Sequence, residues 1–213
     1  MSKVKIPKYN LAEELINSIT HGIGAIFSIV ALVLCMIKAS TANVVISCLI
    51  YTILMLVLYV ISCIYHALSP RVKGKKVLRV IDHCNVMLMV AGTYTPICLS
   101  LFNNTIGWIT FAIVWIITIV SVVFNAINVD KYNILSVICN LLLGWGAVFL
   151  IKPMLDIISF DAVLFLIIGG VLYTIGCILY AIGSKIPYMH SIFHLFVLVA
   201  SFFHFLFIYL YCI

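Results

Sequence analysis

The sequence predicts an all-α integral membrane protein, a single domain of seven transmembrane helices with the N-terminus in the cytoplasm and the C-terminus outside. Three observations carry that prediction. Of 213 residues, 66% are hydrophobic and 8% charged, where a soluble domain is about half apolar and about a quarter charged. Apolar runs recur at 22–37, 43–68, 80–102, 105–127, 132–151, 161–182 and 189–212, each near the roughly 20 residues that span a bilayer. If those runs cross the membrane in turn, ten of the twelve Lys and Arg residues fall on one and the same side.

Taken in order, the first run follows a polar approach. Leu11, Leu15 and Ile16 alternate with Glu13, Glu14 and Asn17, which suits a short amphipathic interfacial segment over about 9–20. Lys3, Lys5 and Lys8 with Ala39-Ser40-Thr41-Ala42 mimic a signal peptide, but the acidic stretch lengthens the n-region, so the first helix is expected to be retained. The later runs are separated by Ser40-Thr41, Pro70 to Lys76, Asn103-Asn104, Asp130-Lys131, Lys152-Pro153 and Gly183 to Pro187. All of these are turn or breaker signals.

Orientation follows from the basic residues. Lys3, Lys5, Lys8, Arg71, Lys73, Lys75, Lys76, Arg79, Lys131 and Lys185 share one side, against Lys38 and Lys152 on the other. A cytoplasmic N-terminus argues against a receptor of the rhodopsin type. The net charge of +6 is therefore topological, and no basic helix interleaved with aromatics points to nucleic acid. Eight scattered cysteines form no CxxC pair and read as small hydrophobes. Few ionisable groups occupy the middles of the runs, which argues against a dedicated ion channel. No protein partner is evident, and an oligomer is compatible with the sequence.

Polar groups in such a chain are costly and need a reason. His66 ends the second run, Asp82 and His83 begin the third, and His190 and His194 begin the seventh, so three regions meet at one cytoplasmic depth. His190 and His194, four apart, share a helix face. With His66 they make three protein ligands and leave an open position, the catalytic form of a zinc site. Copper, iron and nickel also accept imidazole. Ser62 lies one turn before His66, and Asp82 is placed to hold or deprotonate a water at the metal. His21, with Asn17 four residues before it, is positioned to orient a ligand.

Blander roles stand beside these. The His pair suits headgroup depth, Ser62 can bond back to its own helix, and Asp82 can pair with Arg79. His83 points about 100° away from Asp82 on a helix, which favours packing or hydrogen bonding over ligation. His204 is expected to be too deep to share the metal and to bond another helix. Tyr94, Tyr132, Tyr188 and Tyr209 read as interface anchors or packing groups.

The ordered set Glu14-x-x-Asn17-x-x-x-His21-Gly22, Ser62-x-x-x-His66, Asp82-His83 with Ala91-Gly92-x-Tyr94-x-Pro96, and His190-x-x-x-His194 with His204-Phe205 resembles the haemolysin III family, within the progestin and adiponectin receptor (PAQR) superfamily. The resemblance covers nearly the whole chain. It implies seven helices with a cytoplasmic N-terminus, and Zn2+ held by His66, His190 and His194. It places Asp82 against the zinc-bound water and Ser62 nearby. By similarity to alkaline ceramidases, the reaction is hydrolysis of an amide or ester bond in a membrane lipid. The chain is similar to short, bacterial-type members, which implies a multi-pass protein of the bacterial cell membrane and no hormone-receptor role. The alternative is a membrane-lytic or pore-forming protein, or a membrane-stress or fluidity regulator with structural zinc. Haem ligation is a poorer third, because the His pair lies on one helix.

Overall fold

The computed structural model describes residues 4–183 and 185–213. Lys3, counted above among the basic residues, and Ser184, within the Gly183 to Pro187 break, lie outside them. Among the described residues the chain is helical, with no strand.

Helix α1 (Leu11–Lys38) opens on a reciprocal cap. Asn10 Oδ1 accepts from the Glu13 amide at 2.9 Å, and Glu13 Oε2 accepts from the Asn10 amide at 2.9 Å, so two otherwise unpaired donors are satisfied. The stretch expected to be interfacial is the start of this same continuous helix. Thr41 caps α2 (Ala42–Ala67). Helix α3 (Gly74–Pro96) continues past Pro96 as a π-helical segment, Ile97–Phe102, and stops at Asn103, whose φ of 41° is left-handed. Asn104 then caps α4 (Thr105–Gly146) by accepting from the Gly107 amide at 3.1 Å. Helix α5 (Val148–Leu155) comes next, then α6 (Phe160–Ile182) and α7 (Met189–Phe207), which ends in a second π-helical segment, Ile208–Cys212.

Among the described residues six helices are long and apolar enough to cross a membrane: Leu11–Lys38, Ala42–Ala67, Gly74–Phe102, Thr105–Leu155, Phe160–Ile182 and Met189–Cys212. The fourth is not straight. Asn128 has non-helical φ and ψ of −160° and 91°. Its Oδ1 accepts from the Lys131 amide at 3.1 Å and so caps a new helical arm. Ser136 Oγ donates to Asn125 Oδ1 at 2.7 Å. Eleven residues of straight helix would separate them by about 16 Å, so the chain doubles back at Asn128 and its two arms run side by side.

The bundle is tied by polar contacts and small residues, as membrane interiors require. Tyr59 and Tyr173 both bond Ser201 Oγ, at 2.8 and 2.7 Å, which joins α2, α6 and α7. At Gly24 of α1, an added Cβ would meet the Tyr59 ring of α2. Ile and Val side chains such as Ile26, Ile116 and Val123 point outward, as a lipid-facing surface needs. At one end, residues 4–10, the start of α3, the reversal at Asn128 and the start of α7 meet. Arg79 Nη1 donates to the Lys5 carbonyl and to Asp130 Oδ1, and Glu13 Oε1 accepts from the Tyr188 amide. At the opposite end Lys38 Nζ donates to the Tyr209 carbonyl, and Asn43 bonds Asn103. All eight cysteines are free thiols.

Candidate metal centre

His66 lies on the last turn of α2, and His190 and His194 lie on the first turns of α7. All three are buried, and one ring nitrogen of each falls within 4.8 Å of the others. His190 Nε2 and His194 Nε2 are 3.0 Å apart. Zn–N bonds of about 2.0–2.1 Å in a tetrahedron hold ligand nitrogens about 3.3 Å apart, so the pair already has chelating spacing.

The neighbours decide which nitrogens are free. His66 Nδ1 is 2.6 Å from Glu14 Oε2. A carboxylate only accepts, so Nδ1 donates and Nε2 keeps its lone pair. That Nε2 is buried and has no hydrogen-bond partner among the described residues. A buried orphan of this kind is costly unless something takes its lone pair, and a metal ion does so. The Asn17 amide lies 3.3 Å from the same Nδ1, and because that nitrogen donates, the amide is best read with its oxygen toward His66. His194 Nδ1 meets His21 Nε2 at 2.7 Å. With His194 as donor, its Nε2 is free as the second lone pair.

Glu14 is held in turn. Lys75 Nζ, fully buried, donates to Glu14 Oε1 at 2.6 Å and to the Leu68 carbonyl at 2.7 Å. The resulting sequence of Lys75, Glu14 and His66 is a carboxylate–histidine arrangement of the type that orients metal ligands. Tyr9 stacks on His190, with ring centroids 4.7 Å apart and planes inclined by 17°. Burial pushes the Tyr9 phenol above the ordinary tyrosine range, so the ring packs as a neutral group. Tyr188, just before α7, holds a left-handed φ of 64°, and its amide donates to Glu13 Oε1 at 2.7 Å. Glu13 therefore fixes both the cap of α1 and the start of α7.

A cavity of about 230 Å³ adjoins the cluster. Ser62, Asp82, His83, His190 and His194 line it near the histidines. Leu58, Val86, Val90, Ile97 and Leu166 make much of the rest of its wall apolar, with Asn133, Asn140 and Thr174 among the polar groups, and His204 also lines it. His194 and His204 are ten residues apart on α7, about 15 Å. Trp145 and Val148 line the cavity and are also exposed.

Two of the blander alternatives are not seen among the described residues. Asp82 does not pair with Arg79, which is engaged by Asp130 at 2.6 Å and by the Lys5 carbonyl at 2.5 Å. Its carboxylate instead borders the cavity. Ser62 is buried in the cavity wall and has no bond back to its own helix among the described residues. His83 stands outside the three-histidine group and faces the Tyr180 ring at 6.1 Å. His204 Nε2 donates to the Leu166 carbonyl at 3.3 Å, on another helix as expected. Tyr94 is a packing group: it is buried, and its hydroxyl donates to the Leu143 carbonyl at 2.6 Å. The parts that sequence reasoning left without a role are Glu13, Glu14, Lys75 and Tyr9. A signal existed for Glu14, because Glu14, Asn17 and His21 recur at i, i+3 and i+7 and so share one helix face.

Fold and site define a polytopic membrane protein with a buried three-histidine cluster. Residues 9–205 match the family model described as "Haemolysin-III related". The chain belongs to that family. It is 37% identical over 193 residues to "Hemolysin-3" of Bacillus cereus, covering 89% of this chain and 87% of the relative. To "Hemolysin-3 homolog" of Bacillus subtilis (strain 168) it is 36% identical over 208 residues, covering 96% and 97%. A more distant similarity, 23% over 159 residues, covers 70% of this chain and 63% of "Monocyte to macrophage differentiation factor" of Homo sapiens. That similarity is consistent with the wider PAQR grouping.

Proposed function

We propose that this chain is a zinc-dependent hydrolase of lipid amide or ester bonds, working at the cytoplasmic side of a bacterial plasma membrane. The observation that carries the reading is the buried, unpartnered Nε2 of His66 beside the His190–His194 pair, set against a largely apolar cavity that Asp82 and Ser62 also line. His66, His190 and His194 would hold the ion. Once bound, it supplies Lewis acidity and an activated water at neutral pH.

The chain's own residues supply the rest. Asp82 takes a proton from the attacking water and delivers it to the leaving nitrogen or oxygen. The Ser62 hydroxyl donates to the oxyanion developing on the cleaved carbonyl. The apolar wall accepts the hydrocarbon of the lipid, which arrives sideways from the bilayer past Trp145 and Val148. Lys75 and Glu14 keep the His66 lone pair in place, and His21 does the same for His194.

The topology belongs to the same reading. The chain crosses seven times, with the Thr105–Leu155 stretch counted as two crossings, the N-terminus in the cytoplasm and the C-terminus outside. The meeting of residues 4–10, the start of α3, the reversal at Asn128 and the start of α7 at one end supports this, since each even-numbered loop then carries the basic residues.

The test is elemental analysis of the purified protein beside a His190→Ala/His194→Ala variant, followed by hydrolysis assays on ceramide-type and ester lipids. About one zinc per chain in the wild type and none in the variant is expected. His194→Ala should lose metal and activity together. Asp82→Asn should keep its zinc and lose activity by about 10²–10⁴-fold. Hydrolysis retained in a metal-free His194 variant would sink the mechanism.

The names of the Bacillus relatives favour a second reading, a membrane-lytic protein or a membrane-stress regulator in which zinc is structural. Dye release from liposomes that persists after chelation favours lysis. Release that tracks lipid cleavage favours the hydrolase.

A further inference from the structure

Two of the three histidine rings are fixed by hydrogen bonds on their outer nitrogens. Glu14 holds His66 and His21 holds His194. His190 has no such bond: among the described residues its one ring contact of that kind is to His194 Nε2, inside the cluster. Its ring plane is set by packing. Tyr180 and Phe193 meet it at tilted angles of 50° and 42°, which leave a ring freer to rotate, whereas the Tyr9 ring lies nearly parallel to it at 17°.

Tyr9 belongs to a segment without regular structure, residues 4–10, that is tethered at both ends. At one end Asn10 is locked into the α1 cap by Glu13. At the other, the Lys5 amide donates to Asp130 Oδ2 at 3.0 Å and its carbonyl accepts from Arg79 Nη1 at 2.5 Å, while Arg79 also holds Asp130 at 2.6 Å. Between the tethers, Pro7 and Tyr9 form part of the cavity wall. Ordering an irregular segment costs conformational entropy for every residue fixed, and here two independent anchors offset that cost to deliver one flat ring onto one ligand.

We propose that the N-terminal segment is a working part of the metal site, in which Tyr9 is the positioning residue for His190 and the Arg79–Asp130 clamp on Lys5 holds Tyr9 in place. The inference rests on the three-histidine metal reading. A ring left free to rotate aims its Nε2 at the ion for a smaller fraction of the time, so metal affinity falls without any ligand being lost. A stacked aromatic pair contributes enough to change affinity by about three- to tenfold.

The experiment titrates zinc, and Co2+ as a spectroscopic probe, into the metal-stripped full chain in detergent against a competing chelator. Wild type, Tyr9→Phe, Tyr9→Ala, Tyr9→Leu and Asp130→Ala are compared. Tyr9→Phe keeps the flat ring and should bind like wild type. Tyr9→Ala and Tyr9→Leu should bind about three- to tenfold more weakly and shift the visible d–d bands of bound Co2+, because the ligand field changes with the His190 ring. Asp130→Ala, with no contact to the histidines, should shift affinity and bands in the same direction through the segment alone. Combining Asp130→Ala with Tyr9→Ala should add little, since both remove one interaction. Melting curves of the metal-free proteins separate loss of fold from loss of aim, and if Tyr9→Ala does not fold, Tyr9→Leu and Asp130→Ala carry the comparison. A wild type that takes up no metal overturns this proposal and the metal reading together. A wild type that binds, with Tyr9→Leu and Asp130→Ala matching it in affinity and spectrum, overturns this proposal alone.

Discussion

Glu14 has one oxygen on each of two donors, His66 Nδ1 at 2.6 Å and Lys75 Nζ at 2.6 Å. Only a carboxylate fits that position, because both of its oxygens accept. Glutamine offers one acceptor and one donor, so one of the two contacts becomes donor against donor. Glu14→Gln should therefore weaken zinc binding by about 10–100-fold, read by chelator competition, while the three ligands stay present. Lys75→Met removes the cation from a buried pair and should cost about 3 kcal/mol of stability, seen as a lower melting temperature in detergent. At this scale the clustering of the three histidines was legible and their supports were not. The spacing of His190 and His194 and the shared depth of His66 are properties of local sequence. The bonds of His66 and Lys75 to Glu14 span 52 and 61 residues and depend on how α1 is rotated against α2 and α3, which periodicity alone leaves open. The same holds for Asp82. A short separation in sequence puts Arg79 within reach of it, but Arg79 turns to Asp130 of a distant element, and Asp82 stays on the cavity.

Among the elements, apolar runs located every long helix, because about 20 lipid-compatible residues have few other uses. Junctions were less legible. The break expected at Asp130-Lys131 falls at Asn128, whose side chain caps the second arm, and the run over 132–151 is divided at Ala147 between α4 and α5. The π-helical segments after Pro96 and Phe207 carry no hydrophobic period of their own and leave no mark in the sequence pattern. Close helix contact is more predictable from geometry. At Gly24 a side chain would enter the Tyr59 ring, and Tyr59 is bonded to Ser201 on α7, so the ring cannot yield without breaking a tie to a third helix. Gly24→Val should destabilise the bundle by about 1–3 kcal/mol. Gly144→Ala meets nothing within 4 Å of the new Cβ and should leave stability unchanged or raise it by up to about 1 kcal/mol through helix propensity. Thermal unfolding of the two variants in the same detergent tests the contrast.

Across the whole molecule, charge and hydrogen bonding point the same way. Arg79, Asp130 and the Lys5 backbone form one network, and Lys131 adjoins it in sequence, so the basic residues that the positive-inside rule assigns to the cytoplasm gather at the end that carries the histidines. Lys38, one of the two basic residues assigned to the other side, bonds Tyr209 at the opposite end. The count of crossings decides what this means for the C-terminus. If Thr105–Leu155 crossed once, six passes would return Ile213 to the side of the N-terminus. If the reversal at Asn128 makes two passes, the ends lie on opposite sides. A straight 51-residue helix would be about 76 Å long against a hydrocarbon core of about 30 Å, whereas two arms joined by the Asn125–Ser136 bond each match that thickness. Fusions of a reporter active only outside the cytoplasm, placed after Asn103, after Asn128 and after Ile213, should be active, inactive and active in that order. The same positions carrying a reporter that matures only in the cytoplasm should give the reverse pattern. An inactive external reporter after Ile213, with the Asn103 fusion active, would require six crossings and would move the N-terminal basic cluster and the C-terminus to one face. Six crossings would also start α7 on the outer face and part His190 and His194 from His66, which precedes the disputed stretch. The reporter pattern therefore tests the three-histidine cluster together with the topology.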